Sequence, residues 1–272
     1  MLRQRLISAA VLLPLFLIVT FVGDPWYSLA ITIVAALAYH EFYTIISQGG
    51  YAPLRLTGLF FTLLFIGNGF LAAHGLGNYT NPILAAAALA PLILLIVRPT
   101  QNGSAGNWAL TLAGSLYVGW FLSLFVLLRN LPGGLSWVLL AVLSTFACDS
   151  AAYLAGRAWG RRKMVPHLSP GKTWEGAIGG FLAAVISATV LSIVFNTFLT
   201  SLTVPLAIPQ ALLLGALVGI LAQLGDLAES LLKRSVLAKD AGGLIPGHGG
   251  ILDRLDSLLF AVAGTYFFAW WS

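Results

Sequence analysis

The residues best suited to chemistry are concentrated near the C-terminus, in residues 230–257. Only 8% of the 272 residues are charged, yet these 28 positions hold seven charged side chains and one of the four histidines. Their central sequence, GGLIPGHGG, has too much glycine, and a proline, for a helix, and it predicts a polar loop with exposed backbone N–H groups. Because such loops bind anions, the stretch predicts an anion-binding site.

Two pairs of carboxylates flank this loop. Asp253 and Asp256 stand three residues apart at the start of an apolar run, so both lie on one face of a helix's first turn. Asp226 and Glu229 have the same spacing in the preceding apolar block, where an unpaired acidic pair would be costly to desolvate. Carboxylates without a His or Cys ligand set suit Mg²⁺ better than zinc. We predict that the two helix ends converge and that Asp226, Asp253 and Asp256 are metal ligands.

A further acidic residue, Asp149, lies about two helical turns before Arg157, within the hydrocarbon or just below it. A lone carboxylate at that depth requires a cation or a polar cavity.

The loop that follows contains the sequence GKT, which invites comparison with a phosphate-binding P-loop. The comparison fails, because the first glycine of that motif would fall at Pro166 and no strand is predicted before it. Lys172, Ser169 and Thr173 are nevertheless donors near the start of the next predicted helix, where backbone N–H groups and the helix dipole favour anions. A basic loop without a site explains this segment equally well.

His248, between glycines, has two interpretations that the sequence leaves open. It is a phosphate donor or acid–base group, or it is a loop histidine bonded to the backbone.

Apolar helices must position all of these residues. The chain is 59% hydrophobic, its mean hydropathy is +0.92, and its apolar residues form long blocks, which predicts an all-α polytopic membrane protein. Blocks long enough to cross about 30 Å of hydrocarbon predict about nine helices. They are residues 6–22, 29–46, 57–74, 82–97, 108–128, 136–156, 176–199, 207–232 and 255–271. We interpret residues 1–135 as a scaffold of about five helices and residues 136–272 as the catalytic region.

The distribution of Lys and Arg predicts the orientation of these helices. Basic residues fall on alternate connections, with only Arg129 on the other side. The N-terminus and the loops 157–175 and 233–254 are therefore expected in the cytoplasm, so that the polar site of the C-terminal half faces it. The net charge of +5 is explained by topology and anionic lipids rather than by nucleic acid.

Outside this region, His40 and Glu41 form a polar pair in the second apolar block. Intramembrane ionisable groups often mark function, but a polar contact between helices near the interface is the favoured interpretation.

The motifs together resemble the signature of the phosphatidate cytidylyltransferase, or CDP-diacylglycerol synthase, family. The similar residues near the C-terminus are Ser230, Lys233, Arg234, Lys239, Asp240, Gly242, Ile245, Pro246, His248 to Ile251, and Asp253 to Asp256. Asp149 to Tyr153, Gly156, Arg157, Gly160 and the segment from Ser169 to Gly176 are also similar, except that Gly171 stands where a second lysine is expected. The specific similarity covers about residues 140–260.

The resemblance implies that CTP and phosphatidate give CDP-diacylglycerol and pyrophosphate, with Mg²⁺ and room for a second cation. It implies CTP, phosphatidate and membrane lipids as partners, allows a homodimer, and places the protein in a bacterial inner membrane, within phospholipid biosynthesis. The residues with an implied catalytic role are Lys172, Lys239, His248 and Arg254. The implied substrate-binding residues are Asp149, Arg157, Ser169, Thr173, Glu229, Ser230, Lys233, Arg234, Gly249 and Gly250.

Two other functions stay open at this point. A CTP-dependent polyprenol or lipid kinase would share the basic and acidic residues. A cation-coupled transporter would also bury carboxylates, but it would show paired halves and a site at the bilayer midplane.

The charge distribution makes a topological prediction. In a Cys148→Ala background, cysteines at positions 172 and 239 should label from the cytoplasmic side, and a cysteine at position 272 from the opposite side. Labelling of positions 172 and 239 from opposite sides would contradict the helix count.

Overall fold

A computed structural model describes residues 2–98, 103–199, 202, 204, 206–238, 242 and 249–271, with the backbone alone for residues 2–10. These residues form nine helices and two short strands. The helices are α1 (Leu2–Val22), α2 (Trp26–Gln48), α3 (Arg55–Ala73), α4 (Thr80–Val97), α5 (Ser104–Asn130), α6 (Gly134–Trp159), α7 (Trp174–Phe198), α8 (Ile208–Ser235) and α9 (Leu252–Trp271). The strands are β1 (Lys163–Val165) and β2 (Ser169–Thr173). Lys239 and His248 lie outside the described residues, as does position 272.

Each predicted apolar block corresponds to one of these helices, which confirms the all-α polytopic architecture. Seven of them, α2 to α8, are long and apolar enough to cross a membrane. The described apolar part of α1, Val11–Val22, is shorter, and α9 is not among the seven. The first two turns of α9 carry Asp253, Arg254 and Asp256, which lower its hydropathy.

A β-hairpin between α6 and α7 was not predicted. Strands β1 and β2 pair antiparallel, with Lys163 opposite Thr173 and Val165 opposite Ser169. The GKT sequence lies in β2 itself, as extended backbone that leads directly into α7. A P-loop needs these residues in a turn that wraps a phosphate, so the hairpin supplies the physical reason why the comparison fails.

Contacts divide the chain into two compact units. The first contains Met1–Leu127 and Leu232–Arg254, and the second contains Leu128–Leu231 and Leu255–Ser272. The predicted division near residue 135 into a scaffold and a catalytic region stays a prediction.

In the first unit, α3 packs against α4 and α5 through large apolar side chains. Phe61 and Phe65 are buried with Ala87 of α4, and Trp120 of α5 packs against them. Asn68 adds a polar contact, since its side chain donates to Thr80 Oγ1 at 2.9 Å and accepts the N–H of Tyr79 at 2.6 Å. Residues Ser115–Trp120 of α5 form one turn of π-helix. Such turns lengthen the hydrogen-bond ladder locally and re-aim the side chains after them.

In the second unit, small residues bring helices close together. A Cβ atom at Gly180 of α7 would lie 2.8 Å from the carbonyl oxygen of Cys148 in α6. A Cβ atom at Gly225 of α8 would lie 2.3 Å from the carbonyl oxygen of Asp256 in α9. Close approach through glycine is a common way to pack membrane helices, and here it also brings acidic residues of different helices together.

Candidate functional site

The hairpin and the start of α7 position Lys172. The next residue, Thr173, is the N-cap of α7, and its side-chain oxygen accepts the N–H of Gly176 at 3.2 Å. Because Thr173 is 5% exposed and already bonded, the backbone of the preceding lysine is well fixed. The structure gives Thr173 a capping role, and its predicted contact with substrate stays a prediction.

Glu175 closes the other end of the hairpin. Its carboxylate accepts the backbone N–H groups of Arg161 at 3.1 Å and Arg162 at 3.2 Å. The N–H of Trp174 donates to the carbonyl of Arg162 at 3.0 Å. Lys172 thus stands on a segment held at both ends.

Lys172 meets a carboxylate of α8. Its Nζ lies 2.8 Å from Oδ2 of Asp226, with side chains 24% and 37% exposed, respectively. The contact is an ion pair rather than a directed hydrogen bond, since the buried Nζ makes no well-aligned hydrogen bond within the described part of the chain. An ammonium has three donors, so Lys172 keeps capacity for further acceptors. Within the second unit, Lys172 therefore lies beside Asp226 as a positively charged partner.

Two further acidic residues lie near this pair. Asp149 of α6 is solvent-accessible and within electrostatic range of both Asp226 and Lys172. Its Oδ1 accepts the Ser257 hydroxyl at 3.3 Å, and Oδ1 of Asp256 accepts the N–H of Ser257 at 2.7 Å. Together with the contact at Gly225, these bonds bring α6, α8 and α9 together around Lys172 in the second unit.

A second lysine–carboxylate pair belongs to the first unit. Nζ of Lys233 lies 2.7 Å from Oδ1 of Asp253, with side chains 14% and 12% exposed. Oδ2 of Asp253 accepts the N–H of Gly250 at 2.8 Å. Gly249 has φ of 81°, and a Cβ atom there would lie 2.8 Å from Oδ2 of Asp253. A glycine is required at this position, both for its conformation and for the approach of the carboxylate.

The other predicted residues differ in their exposure to solvent. Arg157 and Arg254 are exposed, and Ser169 and Ser230 are half-buried. Arg234 is exposed and lies 3.4 Å from the carbonyl of Ala238. Glu229 is 1% exposed and therefore buried. The predicted roles of these residues stay predictions.

Glu41 has a partner in the structure that the sequence does not indicate. Its Oε2 accepts the backbone N–H of Leu252, the first residue of α9, at 2.8 Å. Its neighbour His40 instead contacts Arg55, with 2.9 Å between Nδ1 and a guanidinium nitrogen. The only signal in the sequence was an acidic residue in an apolar block, which cannot identify a backbone N–H more than 200 residues away.

No group of three or more His, Cys, Asp or Glu side chains is arranged to hold a metal within the described ranges.

Comparison with known proteins adds independent information. The family model described as "Cytidylyltransferase family" matches residues 3–271. Similar proteins include the phosphatidate cytidylyltransferases of Bacillus subtilis, at 32% identity over 97% of this chain and 96% of the relative, and of Brucella suis, at 35% over 98% and 93%. The protein of that name from Haemophilus influenzae is 34% identical over 96% of both chains. The match thus includes both lysine–carboxylate pairs.

The two ion pairs should contribute differently to stability. Lys172→Met should lower the free energy of unfolding by less than about 1 kcal/mol, because the pair is partly exposed. Lys233→Met should lower the free energy of unfolding by about 1–3 kcal/mol, because Asp253 is more deeply buried than Asp226 and would lose its charged partner. Unfolding in detergent measures both, with Lys163→Met as an exposed control. Equal losses for both variants would contradict the difference in burial.

Proposed function

The chain belongs to the cytidylyltransferase family, and we propose that it transfers the cytidylyl group of CTP to phosphatidate, giving CDP-diacylglycerol and pyrophosphate. The observation that carries this proposal is similarity over nearly the whole chain to proteins named phosphatidate cytidylyltransferase. These names favour the transferase over the lipid kinase and the transporter.

The proposed reaction is a direct displacement. A phosphate oxygen of phosphatidate attacks the α-phosphorus of CTP and forms the new P–O bond. The bond from that phosphorus to the oxygen bridging the α- and β-phosphates breaks, and pyrophosphate leaves with the electron pair. No protein nucleophile is needed, so the protein's task is to bring two anions together and to compensate the charge that develops.

Lys172 is suited to part of that task. Its ammonium is buried at the end of a fixed strand and keeps donor capacity beyond its contact with Asp226. The start of α7, one residue later, adds a dipole that favours anions. We expect Lys172 to bind a phosphate oxygen while Asp226 keeps the ammonium oriented.

The donors in the second unit fit Mg²⁺. Asp226 is accessible, and Asp149 is within electrostatic range of it. Both residues offer carboxylate oxygens, which are hard ligands. We propose that Asp226, with Asp149 and Asp256 nearby, holds Mg²⁺. The ion, when bound, supplies positive charge to the phosphate oxygens of CTP. A second cation stays a prediction.

Asp253 is the predicted metal ligand that belongs to the first unit. Both of its oxygens already accept hydrogen bonds, from Lys233 and from Gly250. Since each carboxylate oxygen has two lone pairs, these bonds orient the group and leave it able to bind a cation. Gly249, Gly250, Lys233, Arg234 and Arg254 stay predicted phosphate-binding groups on the same segment.

We also propose that the site opens to the cytoplasm of a bacterial inner membrane. The alternation of Lys and Arg among the connections supports this orientation. CTP is soluble and phosphatidate is a lipid, so a site at the membrane surface would be reached by both. A homodimer stays a prediction.

The metal proposal predicts the effect of removing single charges. Asp226→Asn and Asp253→Asn should each lower turnover by about 100-fold or more, because the amide keeps the volume but loses the charge that binds Mg²⁺. Initial rates at several Mg²⁺ concentrations measure this. Asp24→Asn is the matched control: the Asp24 side chain accepts hydrogen bonds from the N–H and the hydroxyl of Ser28, an amide oxygen can still accept them, and the rate should be unchanged. A near-normal rate in either variant would remove that residue from the metal site.

The proposed function itself is tested with labelled CTP and phosphatidate. The purified protein should produce labelled CDP-diacylglycerol, double-reciprocal plots should intersect, and the α-phosphorus should invert its configuration, because both substrates are bound together. Parallel plots, retention, or cytidylate trapped on the protein with CTP alone would overturn the one-step mechanism. Absence of any lipid product would overturn the function.

A further inference from the structure

We propose that Glu41 of α2 is a positioning residue, whose carboxylate holds the backbone at the start of α9 and thereby fixes Asp253 for the reaction. The inference rests on the proposed function, in which Asp253 is a predicted metal ligand. Glu41 belongs to the apolar N-terminal helices that the sequence interprets as a scaffold.

Glu41 is deeply buried among apolar residues. It is 3% exposed, and its neighbours Tyr39 and Phe42 are 1% and 2% exposed. A carboxylate in such surroundings is tolerated only where hydrogen bonds or charges compensate its lost hydration. The bond from the N–H of Leu252 to Oε2 supplies part of that compensation, and Oε1 accepts no well-aligned hydrogen bond within the described part of the chain.

The same bond completes the start of α9. The first N–H groups of a helix have no partner within the helix, and negative charge is favourable beside them. Leu252 is the first residue of α9, is 1% exposed, and donates to Glu41. The next residue is Asp253, so fixing the peptide of Leu252 fixes the base of the Asp253 side chain.

Two glycines let the backbone approach the Glu41 carboxylate closely. A Cβ atom at Gly242 would lie 2.7 Å from Oε1 of Glu41, and one at Gly250 would lie 2.6 Å from Oε2. Gly250 is also the residue whose N–H donates to Asp253. Glu41 therefore lies beside Gly250, whose N–H bonds Asp253, and accepts the N–H of Leu252, the residue before Asp253.

The C-terminal end of α2 contacts the other end of the same segment. A Cβ atom at Gly49 would lie 2.5 Å from Cγ1 of Val236, three residues after Lys233. Within the first unit, α2 thus supports the segment near both partners of the Lys233–Asp253 pair. A residue that only filled the interior of the unit would not need to contact the backbone around one site residue.

The test combines hydrogen exchange with kinetics on the full-length protein. Glu41→Ala should raise amide exchange in peptides covering residues 249–254 and lower kcat about 10- to 100-fold, because a small displacement of a reacting group has effects of that size. Glu41→Asp, which retracts the carboxylate by one methylene, should also raise exchange and lower kcat, but by less than Glu41→Ala. Glu41→Gln keeps an acceptor for Leu252 and should restore protection and most of the activity lost in Glu41→Ala.

Asn68→Ala is the matched control. It removes a buried polar contact between α3 and α4 of the same unit, away from residues 249–254. It should lower the unfolding temperature at least as much as the Glu41 variants, while exchange in residues 249–254 and kcat stay as in the wild type.

The outcomes separate this inference from the proposed function. Wild-type exchange and kcat in both Glu41→Ala and Glu41→Asp would overturn the positioning role while the transferase activity stands. The same conclusion follows if Asn68→Ala reproduces their effects, or if Glu41→Gln is as defective as Glu41→Ala. Should Glu41→Ala fail to fold, the exchange of residues 249–254 and the kcat of Glu41→Asp decide whether Glu41 has the positioning role. If the wild type makes no lipid product but the exchange of residues 249–254 rises as expected, the proposed function fails while the structural part of the inference stands.

Discussion

The cost of keeping acidic groups in apolar helices governs the structure of this protein. A carboxylate loses far more hydration there than on the surface of a soluble protein, so a nearby cation or N–H donor is needed to offset part of that cost. Asp226 forms an ion pair with Lys172. Asp253 forms an ion pair with Lys233 and accepts the N–H of Gly250. Glu41 accepts the N–H of Leu252. Each acidic residue therefore fixes another element in place.

Helix starts are the second common feature of these contacts. Thr173 caps α7 with its own side chain, whereas the first N–H of α9 is bonded by a carboxylate from another helix, Glu41. Asp253, in the first turn of α9, bonds the N–H of Gly250 just before the helix. The N–H groups that must be satisfied at a helix start are the same groups that favour an anion. Segments at such helix starts can therefore be held rigidly and still favour negative charge. In the proposed reaction such rigidity lowers the cost of orienting two anionic substrates.

Small residues make the contacts between helices that these charges need. Gly225, the residue before Asp226, allows α8 to approach the backbone of α9 at Asp256. Gly242 and Gly250 allow backbone to approach Glu41 in the same way. In each case a side chain larger than hydrogen would displace an acidic residue or its partner, so packing and electrostatics depend on the same few positions.

The sequence alone determined the membrane helices, since long apolar blocks have few other stable structures in water or lipid. It also identified the acidic and basic residues near the C-terminus, because charges are so rare in this chain that their clustering is informative. It could not predict the hairpin that carries Lys172, since two strands of three and five residues have no periodicity strong enough to detect. Nor could it choose partners: that Lys172 meets Asp226 and that Glu41 meets Leu252 depends on how helices far apart in the chain pack, which local patterns do not encode. The residue types determined the chemistry that is available, and only the tertiary contacts decided which groups act together.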